Sequence, residues 1–249
     1  MAKRSLRHTT RSLDTIITVV LTPIAMLLLF VFVFGGALGE QTGSIEYVDF
    51  ITPAVIIMTV GSGIAYAAAR LSMDLHKGII SRFRTMPVAP SSVLSGQALS
   101  STLSNLFSCL LVLVVAFIVG FRPGGGVAGW LGFLGLLLLF TLAMTWMAMF
   151  FGLLAKTVEG AGAFAYILLL LIFISPSFVP TDSMTPLLRN FAEYQPMTPV
   201  VETMRSMLTV GTPGDEVWIA LAWTLGLLVL FYTLALRIYR RREPTPIAQ

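Results

Sequence analysis

Residues 129–154 read GWLGFLGLLLLFTLAMTWMAMFFGLL, and they sit inside 33 uncharged residues running from Arg122 to Lys156. A helix needs about 20 apolar residues to cross roughly 30 Å of hydrocarbon. The stretch is continuously apolar rather than alternating, so it predicts a spanning helix and not a strand of a barrel. The whole chain has the same character. Its 249 residues are 56% hydrophobic and 11% charged, where soluble domains carry roughly 25% charge. Mean hydropathy is +0.88. These values exclude a soluble globular protein, a disordered chain and a disulfide scaffold. A single cysteine, Cys109, forbids an intrachain disulfide, and with only His8 and His76 beside it a metal centre has few ligands to draw on.

Working outward, the charges divide the chain. Uncharged runs of 25 residues (Asp14 to Glu40), 20 (Asp49 to Arg70), 37 (Arg84 to Arg122), 22 (Glu159 to Asp182) and 20 (Glu216 to Arg237) join the first one. They predict six spans, roughly 15–37, 50–70, 98–120, 129–154, 161–179 and 217–236, in one membrane domain over residues 1–249. The apolar part of the first run is too long for the core of a signal peptide, and no clear cleavage site follows, so it is expected as a retained helix. Thirteen Lys and Arg fall on one side of this arrangement and three (Arg122, Arg189, Arg205) on the other. The positive-inside rule then makes both termini cytoplasmic.

Absences narrow the function. No Asp, Glu, Lys, Arg or His lies within the six predicted spans apart from Arg70 at the edge of the second. This argues against a proton-coupled antiporter and against a channel with a charged ring. A phosphate loop needs Gly-Lys-Ser/Thr, and none of Lys3, Lys77 and Lys156 follows a glycine. Energy for uphill transport must therefore come from another polypeptide. Polar residues such as Asp182, Glu193, Tyr194 and His76 are scattered over two faces and suggest no enzyme site.

The loop between spans two and three carries the most information. Ile79, Ile80, Phe83 and Met86 recur at helical spacing, with Arg82 and Arg84 beside them, between Gly78 and the helix-stopping Pro87. Pro90 and Ser91 open the next helix. A short amphipathic helix results. It either lies in the headgroups, with its arginines on anionic membrane lipid, or docks a cytoplasmic partner. Outside, Val200, Val201, Met204, Met207 and Leu208 form a stripe interrupted by Glu202 and Arg205. This is an interfacial helix over the span ends, or a segment dipping back as an outer gate. Arg4, Arg7 and Arg11 at helical spacing make a basic amphipathic helix at the N-terminus, and Gly61, Ala65 and Ala69 make a small-residue ridge for close helix packing.

Residues 78–96, GIISRFRTMPVAPSSVLSG, closely resemble the second-loop motif of type-2 ABC transporter permeases, especially the daunorubicin-resistance exporter branch. Residues 4–38, with their basic start and Phe-Gly-Gly ending, are similar to the beginning of that branch. Residues 194–208, YQPMTPVVETMRSML, resemble its Asn-Pro-x-Thr-Pro segment, with Gln195 in place of the asparagine. The resemblance implies an all-α integral membrane fold of six spans. It adds an N-terminal amphipathic helix, a cytoplasmic coupling helix carrying Ile79, Ile80, Arg82, Phe83, Arg84, Met86 and Pro87, and an external re-entrant segment. It implies no cofactor on this chain, with ATP and Mg on a separate ABC ATPase subunit present in two copies. It implies a second permease copy or a related permease as the other partner, and no nucleic acid. It also implies a substrate path near spans one, two and five, where Phe30, Met58, Tyr66, Tyr166, Phe173 and Phe178 are the candidate lining residues. The expected function is export of an amphipathic drug or lipid-like molecule across a bacterial-type plasma membrane. A self-contained secondary carrier and a non-transporting scaffold are the alternatives.

Overall fold

The computed structural model describes residues 20–38, 46–77, 90–175, 185, 189–192 and 195–241. Among these there are helices and no strands. Helix α1 (Thr22–Leu29) runs into a π-helical turn (Phe30–Phe34) and a short α2 (Gly35–Leu38). Then come α3 (Tyr47–His76), α4 (Pro90–Val119), α5 (Gly126–Leu154), α6 (Val158–Ile174), α7 (Met197–Thr209) and α8 (Val217–Arg241).

Four of these helices are long and apolar enough to cross a membrane: Tyr47–His76, Ser92–Val119, Gly126–Leu154 and Val217–Arg241. Two of the six expected spans correspond to the shorter apolar segments Thr22–Phe34 and Val158–Ile174. At 1.5 Å per residue α6 is about 26 Å long, and it stops at Ile174 rather than at 179. The long helices outrun the charge-free windows, because a helix continues past the hydrocarbon as a polar turn. Arg70 and Asp74 thus belong to α3, and Pro90, rather than residue 98, begins α4.

Helix α3 is the centre of the bundle. Every residue from Tyr47 to Gly61 except Asp49 is buried, and α1, α4, α5, α6 and α7 all pack on it. Its second half is rich in Gly and Ala, which lets neighbouring backbones approach. A Cβ on Gly63 would stand 2.5 Å from the Asn105 amide of α4, and one on Gly152 of α5 would stand 2.8 Å from the Ala68 carbonyl. Ala65, from the predicted ridge, meets Gly162 of α6. Polar side chains of α4 add interhelical bonds. Asn105 Nδ2 donates to the Val60 carbonyl (3.1 Å) and Thr102 Oγ1 to Thr145 Oγ1 (3.2 Å). Each such bond inside a membrane bundle contributes about 0.6 kcal/mol.

The helices alternate in direction. The Arg122 amide donates to Asp49 Oδ1 (2.9 Å), which places the α4–α5 turn at the start of α3. His76 Nε2 lies 2.9 Å from the Lys156 carbonyl, which places the α5–α6 turn at the end of α3. The α7–α8 turn sits on the start of α5, where a Cβ on Gly129 would stand 2.9 Å from the Gly211 Cα, and Trp146 near the end of α5 meets the Tyr232 ring near the end of α8, so α8 runs parallel to α5. Arg237, Arg240 and Arg241 therefore lie at the Lys77–Lys156 end, while Glu46, Asp49, Glu202, Asp215 and Glu216 lie at the opposite end.

Candidate functional site

Among the described residues, the charged side chains collect at the two ends of the bundle. At the basic end, α3 finishes beside the α5–α6 turn. His76 Nδ1 lies 2.7 Å from the Ser72 carbonyl and Nε2 faces the Lys156 carbonyl. Both partners are carbonyl acceptors, so a ring nitrogen bonds to either one through its N–H. Ser72 Oγ also donates to the Thr157 carbonyl (3.4 Å), and Thr157 caps α6 by accepting from the Gly160 amide (3.0 Å). These contacts fix the exit of α3 from which the second loop departs. The residues expected to dock a partner, Ile79, Ile80, Arg82, Phe83, Arg84, Met86 and Pro87, lie outside the described residues, as does the expected N-terminal basic helix. The loop they occupy leaves α3 after Lys77 and re-enters at Pro90, at the end that also carries Lys156, Arg240 and Arg241.

Of the six candidate path residues, Phe178 is outside the described residues. Phe30 is half-buried in the π-helical turn, with its ring 5.6 Å from that of Phe34. Met58 is enclosed in α3 at 4% exposure, and Tyr66 is half-buried further along. Tyr166 and Phe173 face outward from α6, at 74% and 44% exposure. The structure sets α1 and α6 against the same central helix, but the five side chains do not converge. An apolar cavity between α3, α5, α6 and α7 is lined by Ile57, Val60, Ile64, Phe140, Met144 and Leu168 among others, and by none of the five described candidates.

The opposite end holds groups that the sequence reading did not single out together. Helix α7 does not lie on the surface as a cover over the span ends. Met197, Val200, Val201, Met204, Met207 and Leu208 are buried, and so are Thr198, Pro199 and Thr203 on its other sides. The reason is a glycine trough at the start of α5. The Gly125 amide donates to the Leu208 carbonyl (2.8 Å), and a Cβ on Gly125 or Gly129 would collide with the Met207 carbonyl oxygen. Gly132 receives the Met207 thioether.

Two side chains fasten the rest of α7. Gln195, just before Pro196 at its N-cap, donates from Nε2 to the Leu171 carbonyl of α6 (2.8 Å). Together with Ser175, whose Oγ donates to Ile172 (2.7 Å), it serves two carbonyls that the helix end leaves without intrahelical partners. Arg205 lays its guanidinium over the Phe50 ring, 3.8 Å from the centroid, and donates from Nε to the Phe50 carbonyl (3.1 Å). Enclosure pulls the pKa of Arg205 down to about 10, against the raising effect of the nearby Glu202 carboxylate. Burial first, then the nearby Glu202 carboxyl, pushes the Glu216 carboxyl up to about 7. The only advance signal of this cluster was Glu202 and Arg205 breaking an apolar stripe.

Comparison with known proteins agrees with this architecture. Residues 1–209 match the ABC-2 type transporter membrane family. The chain is 30% identical over 230 residues to the daunorubicin resistance ABC transporter permease protein DrrB1 of Streptomyces coeruleorubidus, covering 92% of this chain and 80% of that one. It is 24% identical over 231 residues to the probable doxorubicin resistance ABC transporter permease protein DrrC of Mycobacterium tuberculosis, covering 91% and 82%. With the family model spanning most of the sequence, the chain belongs to the ABC-2 type transporter membrane family.

Proposed function

We propose that this chain is the membrane-spanning permease subunit of an ATP-driven exporter, moving an amphipathic drug or lipid-like substrate out of the cytoplasm or the inner leaflet. Family membership is the observation that carries the reading. The drug-resistance names of both relatives favour an amphipathic drug as cargo. Six crossings, both termini cytoplasmic, accord with alternating helices whose basic residues collect at one end. Residues 79–87 are the docking helix for an ABC ATPase subunit, present in two copies. A second permease copy or a related permease completes the pathway, with Phe30, Met58, Tyr66, Tyr166, Phe173 and Phe178 on the helices nearest it.

The test is reconstitution. The purified chain alone is expected neither to bind nor to hydrolyse ATP, since it has no Gly-Lys-Ser/Thr. With its ATPase partner in vesicles it should move a fluorescent amphipathic cation only when ATP is supplied. Stoichiometric nucleotide binding by the chain alone, or ATP-independent uphill transport, would overturn the proposal. Topology has a separate check. Cysteines at Gln41 and Thr212 should react with an impermeant thiol reagent on intact cells, and one at Ser81 only after permeabilisation. Reaction at Ser81 in intact cells would reverse the orientation.

A further inference from the structure

Helix α6 is fastened at both ends by side chains from outside it. At the inner end Ser72 and His76, one turn apart on α3, both reach the α5–α6 turn. Ser72 Oγ donates to the Thr157 carbonyl (3.4 Å), and His76 Nε2 lies 2.9 Å from the Lys156 carbonyl. Thr157 is the N-cap of α6. Its side chain accepts from the Gly160 amide, and its carbonyl accepts from the Ala161 amide (3.1 Å). The last turn of α3 is therefore tied to the first turn of α6. At the outer end Gln195 Nε2 donates to the Leu171 carbonyl (2.8 Å), which ties the last turn of α6 to the start of α7.

Between these ties the bundle grips α6 from one side. Ala161, Phe164, Ala165, Leu168 and Ile172 are buried. Tyr166, Ile167 and Leu170, on the opposite side, are more than half exposed. Near the inner end the backbones themselves meet: a Cβ on Gly162 would stand 3.4 Å from the Ala65 carbonyl oxygen. A hydrogen-bonded helix is stiff along its axis, so a shift of its first turn arrives at its last, about 26 Å away. We propose that α6 is the rod that passes movement of the second loop to the outer end of the bundle, with His76 and Ser72 as the positioning residues at its inner fastening. The proposal rests on the permease reading above, in which that loop receives the ATPase subunit. The loop leaves α3 after Lys77, so its displacement meets His76 first. It passes through the Lys156 and Thr157 carbonyls to α6, and through the Leu171 carbonyl to α7. These contacts form one contiguous line of the kind that carries coupling. Docking and transmission are thereby separate tasks. Losing a docking residue releases the ATPase subunit, whereas losing a fastening residue leaves it bound and turning over but wastes its motion.

The experiment uses the full chain with its ATPase subunit in vesicles. A cysteine replaces the exposed Thr212, just beyond α7, and the buried Cys109 stays in place. Reaction of that cysteine with maleimide supplied to both faces is timed with and without ATP, beside ATP hydrolysis and transport of a fluorescent amphipathic cation. In His76→Ala and in Ser72→Ala the ATPase subunit should co-purify and hydrolyse ATP as in the native complex. Transport per ATP should fall about three- to tenfold, the scale of one lost hydrogen bond, and the ATP response at residue 212 should shrink with it. His76→Gln keeps an N–H for the Lys156 carbonyl and should recover most of the loss. Gln195→Leu should give the same loss from the outer end. Gly135→Ala, whose added Cβ meets nothing within 4 Å, should behave as native. Native transport per ATP in both His76→Ala and Ser72→Ala overturns the rod. So does release of the ATPase subunit by either variant, because the fastening would then belong to docking, and so does a native complex that transports with no ATP response at residue 212. A native chain that binds no ATPase subunit and moves nothing with ATP overturns the permease reading itself.

Discussion

A Gly129→Ala protein is expected to lose a large share of its stability in detergent and to accumulate poorly in the membrane. The new Cβ would collide with the Met207 carbonyl oxygen and stand 2.9 Å from the Gly211 Cα. Neither neighbour gives way easily. Both belong to backbone, and the adjacent Leu208 carbonyl is already held by the Gly125 amide (2.8 Å). Overpacking of a well-fitted core costs about 1–3 kcal/mol, and a collision with backbone belongs at the upper end, a large share of a domain's about 5–15 kcal/mol. The control is Gly135→Ala on the same helix, where an added Cβ meets nothing within 4 Å. Thermal unfolding followed by size-exclusion chromatography should show a drop of several degrees for Gly129→Ala and no loss for Gly135→Ala. Equal melting of the two proteins would mean that the glycine trough is not what seats α7.

That seat has a consequence for motion. Helix α7 is held to α5 by the trough, to α3 by Arg205 and to α6 by Gln195. An outward opening must carry α7 along with these helices as one body, because peeling it away would strand a guanidinium and several backbone groups without partners. Helix α8 is different. It packs mainly along α5, and it follows α7 through the turn at Gly211. The junction free to give is therefore the one between α7 and α8.

Much of this bundle was legible because lipid enforces a simple code. A charge-free run of 33 residues between Arg122 and Lys156 has no choice but to become a helix, and α5 fills it to within a few residues. The small-residue ridge of α3 was readable for the same reason: Ala65 meets Gly162 where two backbones come close. What failed to show was anything set by a partner element. The stripe on α7, interrupted by Glu202 and Arg205, reads in sequence either as a surface helix or as a segment dipping back; only the glycines at 125, 129 and 132, distant in sequence, reveal that the helix is sunk. Likewise a count of apolar residues runs past Ile174, although Ser175 with its side chain on the Ile172 carbonyl already ends the helix. The π-helical turn at Phe30–Phe34 leaves no mark on composition at all.

Phe83→Ala is expected to leave the chain inserted and folded while uncoupling transport from ATP hydrolysis or releasing the ATPase subunit. The loop that carries Phe83 departs from a braced end of α3, where the His76 ring faces the Lys156 carbonyl (2.9 Å), so a force applied to the loop is delivered to the central helix. In sequence Phe83 belongs to an apolar stripe with Ile79, Ile80 and Met86, flanked by Arg82 and Arg84. An aromatic knob with arginines beside it is the composition of an interface hot spot, where truncation costs at least about 2 kcal/mol. A loss of about 2–3 kcal/mol weakens docking roughly 30- to 150-fold. A helix lying only in headgroups responds otherwise, because one phenyl ring is a small part of a broad lipid contact. Arg82→Ala should give a milder loss that shrinks as salt rises, since a rim charge is screened over about 10 Å at 0.1 M. Co-purification of the ATPase subunit with each variant, measured beside ATP-driven transport, separates the two cases. Wild-type levels of both in the Phe83→Ala protein would assign this segment to the membrane surface and send the search for the coupling contact to the basic N-terminal helix, where Arg4, Arg7 and Arg11 stand at helical spacing.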